Sequence, residues 1–315
     1  MKPRPALRGY IGGMRPPSFL RIVPSEPVAA ALLLLGSALW GSTFPAAKEG
    51  MAVLGLLPFM AWSRITGFFV LLPLAAGIDR REWKRGLAPG ALLGLLLYFA
   101  YYLQSEGLVR TTATNAGFLT GLYVVGTPLL GAVMYRRLPD RRIGAAVALA
   151  TAGLALLSLR AWSFAAGDLL VLASVIFWSL QILAVGAFKE RDPVVLILVE
   201  LGVAAALHTM TAGFELRFDA LPQTWGYLIV TGALGSGLAY FVQIIAQRRV
   251  TPSRTAIIYT GEPLFAALFS WLWLSETLDA RGWVGAVLIV SAMLVAELRL
   301  QRRSVPECSS TEASL

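Results

Sequence analysis

Long apolar runs separated by short polar segments make up most of this chain. The runs "VAAALLLLGSALW" (28–40) and "GLYVVGTPLLGAVMY" (121–135) contain no charged residue. Their apolar residues do not alternate with polar ones, as they would in the strands of a membrane β-barrel. A helix that crosses a bilayer needs about 20 such residues. The pattern therefore predicts an all-α polytopic membrane protein.

Turn and charge signals such as "KERDP" and "SETLDARG" separate the runs. They divide the chain into ten predicted transmembrane helices. These fall at about 28–47, 56–77, 87–107, 113–135, 143–160, 168–187, 193–213, 224–245, 254–275 and 281–298.

Composition agrees with this class, since 57% of the residues are hydrophobic and 14% are charged. A soluble domain would carry about a quarter charged residues. Most of the 27 Lys and Arg residues fall in alternate loops, which predicts that those loops and both termini are cytoplasmic. The net charge of +9 then needs no nucleic-acid partner, and we expect a multi-pass protein of the cell inner (plasma) membrane. The exceptions are Lys48, Arg110, Arg160, Arg217 and Arg281 on the other side, and Arg64 within a span.

The ends of the chain are polar. Residues 1–27 form a basic segment without the apolar core of a signal peptide, which predicts a flexible cytoplasmic arm. Translation from Met1 or from Met14 fits this segment equally well. We expect residues 299–315, which hold the chain's one cysteine, to form a cytoplasmic tail.

The second half of the chain echoes the first, so we assign one five-helix repeat to 28–160 and a second to 168–298. "YYLQSEGLVRTTATN" (101–115) aligns with "YFVQIIAQRRVTPSR" (240–254), and the two segments are 139 positions apart. Because five is odd, the second repeat must enter the membrane from the opposite face. Inverted repeats of this kind are typical of secondary transporters with a site near the midplane.

Several motifs then resemble a known family. "LLLLGSALWGSTFPAAK", "PFMAWSRITG", "LVRTTATNAGFLTGLYVVGTPLLGAVMYRRLP" and "VTPSRTAIIYTGEPLFAALFSWLWLSETL" resemble the EamA-type ten-helix permeases of the drug/metabolite transporter superfamily. The resemblance covers about residues 30–298. It implies export of amino acids, metabolites or xenobiotics, and it does not single out one substrate.

Polar and aromatic side chains follow single faces of several predicted helices. Such faces are unfavourable toward lipid, so we expect them to line a central cavity for organic solutes. Helix packing and interfacial aromatic residues are the alternative explanation. The candidates on these faces are Trp40, Tyr101, Gln104, Trp178, Gln181, Tyr240 and Gln243.

Ionisable groups inside the spans are further candidates. Arg64 lies deep in the second span and either pairs with a carboxylate or binds an anionic group of the substrate. Glu200 and His208 share one side of the seventh span. For Glu200 an interfacial position is open beside a functional one, and for His208 we favour a structural hydrogen bond.

Glu262 precedes Pro263 in an otherwise apolar run, and Tyr259 shares its face. The first repeat has Pro128 at the matching place but Thr127 instead of the acid. Both halves are therefore expected to contain a proline-kinked helix, the pattern that points to a transporter site. Glu262 is either a gate, substrate contact or proton site, or a structural acid bonded to neighbouring helices.

We therefore predict a secondary transporter, and an exporter, that moves small organic metabolites such as amino acids or drug-like solutes by alternating access. A membrane enzyme acting on lipid or lipid-linked substrates and a channel are the alternatives. The expected partners are a small-molecule substrate, the lipid bilayer and protons as a coupling ion, with the chain a monomer or homodimer. No catalytic set, metal site or cofactor is predicted.

Overall fold

The computed structural model of the chain describes residues 24–110, 116, 119–158, 166–213, 215–265, 268–269 and 279–297. All regular structure in these residues is helical, and a helix lies in each predicted span. The helices are α1 Glu26–Leu54, α2 Leu56–Leu71, α3 Arg80–Leu108, α4 Tyr123–Tyr135, α5 Arg141–Ser158, α6 Ala166–Ala187, α7 Pro193–Thr211, α8 Phe218–Ala246, α9 Pro252–Tyr259 and α10 Ala280–Glu297.

Several helices are long and apolar enough to cross a bilayer. Among the described residues five helices meet this test, and α1 adds a sixth if its two parts, bent by 41° at residue 44, form one span. Shorter apolar helices lie at Leu119–Tyr135 and Ala280–Ala296. The chain is thus a multi-pass membrane protein, and the number of ten crossings stays a prediction. The five helices are Leu56–Ala75, Arg80–Leu108, Ala166–Ala187, Pro193–Thr211 and Phe218–Ala246.

Side-chain caps set where two of these helices begin. The Asp79 carboxylate accepts a hydrogen bond from the backbone N–H of Arg81 at 2.9 Å. The Asp192 carboxylate accepts two such bonds at the start of α7, from Val194 and Val195. These bonds satisfy N–H groups that a helix start otherwise leaves unpaired. Because of the Asp79 cap, α3 begins at residue 80 rather than near the predicted residue 87.

The helices pack as two related five-helix units would. Helix α3 packs against α6 and α7, and its repeat counterpart α8 packs against α1 and α2. The counterparts α2 and α7 pack against each other, as do α5 and α10. Exchanging the two repeats turns the α3 contacts into the α8 contacts and maps the α2–α7 and α5–α10 contacts onto themselves. The repeat seen in the sequence is therefore also present in the helix packing.

Glycines allow the close contacts between the two units. A Cβ atom at Gly90 of α3 would lie 2.6 Å from Cβ of Val199 on α7. At the counterpart contact, a Cβ atom at Gly67 of α2 would lie 2.9 Å from the carbonyl oxygen of Gly232 on α8. Only glycine permits these approaches, as at other tightly packed membrane helices.

The charged loops gather at one end of the bundle, which we call the basic end. It comprises loops 136–140, 188–192 and 247–251, together with the starts of α1 and α9. Arg254 pairs there with Glu26, and the Arg248 Nε donates to the carbonyl oxygen of Lys189 at 3.1 Å. At the opposite end, the Trp62 Nε1 donates to the carbonyl oxygen of Leu216 at 2.7 Å.

Candidate functional site

A cavity lies between the two halves of the bundle. It encloses about 920 Å³ of space free of protein atoms, its open mouth included. Side chains of α1, α2, α3, α4, α6 and α8 line it, together with Tyr259 and Glu262 at the end of α9. All of the candidate substrate-binding or gating residues lie in this wall, which brings them together without testing their role. They are Trp40, Arg64, Tyr101, Gln104, Trp178, Gln181, Tyr240, Gln243, Tyr259 and Glu262.

The cavity extends toward the end opposite the basic end. Its wall includes Met51 near the end of α1, Phe59 near the start of α2 and Leu108 at the end of α3. Toward the basic end a buried apolar cluster that includes Leu33 and Leu97 fills the bundle instead. The cavity therefore has a floor on the side of the basic end.

Aromatic rings form two matching pairs across the centre. The ring centres of Trp40 and Tyr240 lie 4.9 Å apart, and those of their repeat counterparts Trp178 and Tyr101 lie 4.8 Å apart. The two tyrosines meet between these pairs, where the Tyr240 hydroxyl donates to the Tyr101 hydroxyl at 2.9 Å. Offset and edge contacts of this kind stabilise aromatic clusters. The cavity centre is therefore an aromatic box shared by both repeats.

Arg64 is held by one of these rings. Its guanidinium carbon lies 3.6 Å from the centre of the Tyr101 ring, a cation–π contact. The residue is 4% exposed, and it forms no ion pair with any described residue. Of the two alternatives raised by the sequence, a carboxylate partner is not what this conformation shows. The charge of Arg64 is thus left to face the cavity.

Glu262 lies elsewhere in the same wall, partly exposed to the cavity. The Tyr123 hydroxyl lies 3.4 Å from its Oε2 and 2.9 Å from the carbonyl oxygen of Tyr259. That carbonyl is available because α9 ends at Tyr259 and the next residues form a turn. A carboxylate with one long hydrogen bond retains capacity for a ligand.

A chain of amides forms the floor. The Gln243 Nε2 donates to Oε1 of Gln181 at 3.0 Å and to Oε1 of Gln247 at 2.9 Å. The Gln181 Nε2 donates in turn to Oε1 of Glu200 at 3.0 Å, and the Gln247 Nε2 donates to the carbonyl oxygen of Ile182 at 2.9 Å. This amide chain links α6, α7 and α8. Gln181 and Gln243 face the cavity, while Glu200 lies behind them.

Several buried polar atoms of the wall have no hydrogen-bond partner among the described residues. They include the donors Arg64 Nε and Trp178 Nε1, the Tyr259 hydroxyl and the acceptor Gln243 Oε1. Buried polar groups are normally hydrogen-bonded, and unsatisfied ones need an explanation. These atoms therefore have hydrogen-bonding capacity that the described residues do not use.

Sequence reasoning missed some of the wall. Tyr123 lies in an apolar run, and its link to Glu262 crosses from α4 to α9. Ser63 and Thr231 form a hydrogen bond across the cavity wall at 2.9 Å. A π-helical stretch, Ile229–Ala239, places the carbonyl oxygen of Gly235 where the Trp40 Nε1 donates to it at 2.9 Å. The small polar residues and glycines of α8 were the available signal.

The two predicted kinks differ in detail. Pro128 lies inside α4, and a turn at Leu122 separates α4 from the helical residues that precede it. Near Pro263 the chain turns at Thr260–Gly261 before helix resumes at Glu262. Neither proline lies in the cavity wall, and Pro128 instead borders a shallow depression at the basic end.

His208, the second ionisable residue of α7 beside Glu200, also lies outside the cavity wall. The His208 Nδ1 is 2.7 Å from the carbonyl oxygen of Ala204, and its ring packs edge-on against Tyr98. Within the described ranges no group of three His, Cys, Asp or Glu side chains could hold a metal ion.

A family model decides the class of the protein. The model of the EamA-like transporter family matches residues 28–159 and again residues 165–297. The chain belongs to the EamA-like transporter family. The two matches correspond to the two packed units of the EamA fold described above.

Relatives of this EamA protein agree with that class. Two proteins of Archaeoglobus fulgidus, each named an uncharacterized transporter, are similar to it. The first is 30% identical over 273 residues and covers 85% of both chains. The second is 27% identical over 284 residues, which is 83% of this chain and 94% of that protein. A solved crystal structure shares the fold, with a TM-score of 0.75 at 19% identity over 88% of this chain and 100% of its own.

Proposed function

We propose that this EamA protein is a secondary transporter that exports small organic metabolites, such as amino acids or drug-like solutes, by alternating access of its two repeats. The observation that carries the proposal is the cavity between the repeats, which has a floor on one side and unpaired polar groups in its wall. We further propose that the chain lies in the inner membrane, crosses it ten times and has both termini in the cytoplasm. On this proposal the floor lies on the cytoplasmic side and the cavity opens to the outside of the cell.

The wall chemistry suggests how a solute is held. An apolar or aromatic body would pack among Trp40, Tyr101 and Tyr240, of which Tyr240 contacts the other two. An anionic group would meet Arg64, and a cationic or hydroxyl group would meet Glu262. The rings would also favour cations. We therefore propose amphipathic organic solutes as the substrate class.

The floor supports a carrier over an open channel, because an open channel needs a continuous path. An enzyme would need a catalytic set of acids, histidines or metal ligands near an interface. The ionisable groups of the cavity wall, Arg64 and Glu262, are a single base and a single acid from different helices. We propose solute binding as their role.

The test combines binding with counterflow. Purified protein is screened by thermal shift against amino acids, nucleosides and cationic drugs, and solutes that stabilise it are then tested in proteoliposomes. We expect a labelled solute to accumulate by saturable counterflow against an unlabelled excess. Arg64→Gln should weaken the binding of solutes that carry an anionic group and leave the binding of purely cationic solutes unchanged. Flux that rises linearly with concentration and shows no counterflow would contradict a carrier.

A further inference from the structure

Glu200 is a buried acid that the cavity chemistry above does not use. It lies in the eighth position of α7, is 0% exposed and is absent from the cavity wall. At 1.5 Å per residue it lies roughly 10 Å along the helix from Pro193, near the middle of an apolar helix that is long enough to cross a bilayer. Acids at such depth are costly and are usually functional.

The hydrogen bonds around Glu200 lack a donor. Its Oε1 accepts from Gln181, whereas its Oε2 is buried with no partner among the described residues. The other unpartnered atom of the amide chain is Oε1 of Gln243, which is also an acceptor. Gln243 lines the cavity, whereas Glu200 lies behind the wall, so a proton on the Glu200 carboxyl is what removes its uncompensated negative charge.

No fixed charge replaces that proton. Glu200 forms no ion pair with any described residue. The charged or titratable groups deep in the helices that pack against α7 are Arg64 of α2, Tyr98 and Tyr101 of α3 and Tyr240 of α8, and α7 itself carries His208. Arg64 is held at the Tyr101 ring, and the Tyr240 hydroxyl donates to Tyr101. Within the described residues neither Arg64 nor Tyr240 forms a hydrogen bond or ion pair with Glu200.

We propose that Glu200 is a proton-binding site beneath the cavity floor, protonated while the basic end is closed and ionised when it opens. This proposal rests on the transporter function proposed above. Opening the basic end must separate α6, α7 and α8, which the amide chain joins. Water would then reach Glu200 and stabilise its carboxylate. The step releases one proton from the carboxyl oxygen to water, and closure takes it back.

The two repeats differ at the residues that form the amide chain to Glu200. The counterparts of Gln181 and Gln243, by the alignment of the repeats, are Thr43 and Gln104. Thr43 donates to the carbonyl oxygen of Trp40 on its own helix, and Gln104 donates to Thr120. Among the described residues the first repeat therefore builds no amide chain to an acid.

The test measures opening of the basic end without any substrate. Val185 is 1% exposed one turn beyond Gln181, so a cysteine there reacts only when this end opens. Val185→Cys is made together with Cys308→Ser, and its rate of reaction with a water-soluble maleimide is measured against pH. At each pH, this labelling rate is divided by the labelling rate of the same Val185→Cys protein with Glu200→Gln added. The ratio cancels the intrinsic pH dependence of the thiol.

We expect this ratio to rise by up to about tenfold per pH unit, because opening releases one proton. Glu262→Gln is the matched control and should leave the rise unchanged. A flat ratio would overturn the proposal, as would a rise that follows sodium or potassium concentration at fixed pH. Should Glu200→Gln not fold, the Val185→Cys labelling rate is measured with Glu200→Asp and with native Glu200. Each rate is divided by the labelling rate of a cysteine at the exposed position 190 (Glu190→Cys), and the pH at which the ratio changes must differ between the two proteins. A transition that stays in place also overturns it.

Because labelling needs no substrate, the two proposals fail separately. A flat ratio alongside saturable counterflow would remove the proton site and leave the transporter. A pH-dependent ratio without counterflow of any solute would remove the transport function and leave the proton-linked opening.

Discussion

Arg64 contacts a ring rather than a carboxylate, and this changes what its charge is for. In a low-dielectric interior an ion pair with Glu262 would neutralise the charge of Arg64 and leave none for a ligand. The cation–π contact with Tyr101 instead orients the guanidinium, and its Nε has no hydrogen-bond partner among the described residues. The two charged groups of the cavity wall are therefore independent binding elements.

This independence predicts a double-mutant result. Arg64→Leu and Glu262→Leu should each change the free energy of unfolding in detergent, and the double variant should equal their sum within about 0.5 kcal/mol. Chemical denaturation followed by tryptophan fluorescence would measure it. A double variant markedly more stable than the sum would show that the two residues pair after all.

At the residue scale, sequence reasoning was good at choosing faces and poor at choosing partners. Helical spacing and the repeat placed Trp40, Tyr101 and Tyr240 on inward faces, and they meet in one cavity. The contacts of Arg64 with Tyr101 and of Glu262 with Tyr123 join different helices. They depend on helix rotation and depth, which the periodicity of one segment does not fix.

At the element scale, the close contact between α3 and α7 holds the first repeat against the second. The glycines of α3 face valines of α7 one turn apart, with Gly90 opposite Val199 and Gly94 opposite Val203. Spacing alone did not reveal this contact, because glycines are frequent throughout the chain, which contains 30 of them.

A single methyl group should therefore weaken this contact. Gly90→Ala places a Cβ atom 2.6 Å from Val199, and such overpacking costs about 1–3 kcal/mol. The matched control is Gly144→Ala in α5, where an added Cβ meets no atom within 4 Å. The control should be neutral or stabilising by up to about 1 kcal/mol, because alanine is the better helix former. Equal thermal stability of the two variants would contradict the packing described.

At the scale of the whole molecule, the repeats are alike in packing and unlike in polar chemistry. The aromatic pairs match across the centre, whereas the amide chain occurs in the second repeat alone among the described residues. The sequence alignment paired Gln104 with Gln243 and so could not distinguish them. Their neighbours do, since Gln243 meets two amides and Gln104 meets a threonine.

The closed basic end should depend on Gln243 and not on its counterpart. Gln243→Leu removes the buried hydrogen bond that joins α8 to Gln181 of α6, worth about 1 kcal/mol net, so the basic end should open roughly fivefold more often. Gln104→Leu makes the same chemical change in the first repeat. The labelling rate of Val185→Cys reports the difference, and equal acceleration by both variants would contradict the assigned floor.

Alternating access is the central claim, and paired distances at the two ends test it most directly. In a Cys308→Ser background, spin labels are placed at Asp140 and Glu190 on the basic end, or at Val53 and Glu215 on the opposite end. These four residues are exposed and lie on different repeats within each pair. Double electron–electron resonance then measures both distances with and without a transported solute. We predict two populations at each end, with the distance at one end widening as the distance at the other narrows. Distances that stay fixed, or that widen together, would contradict the account.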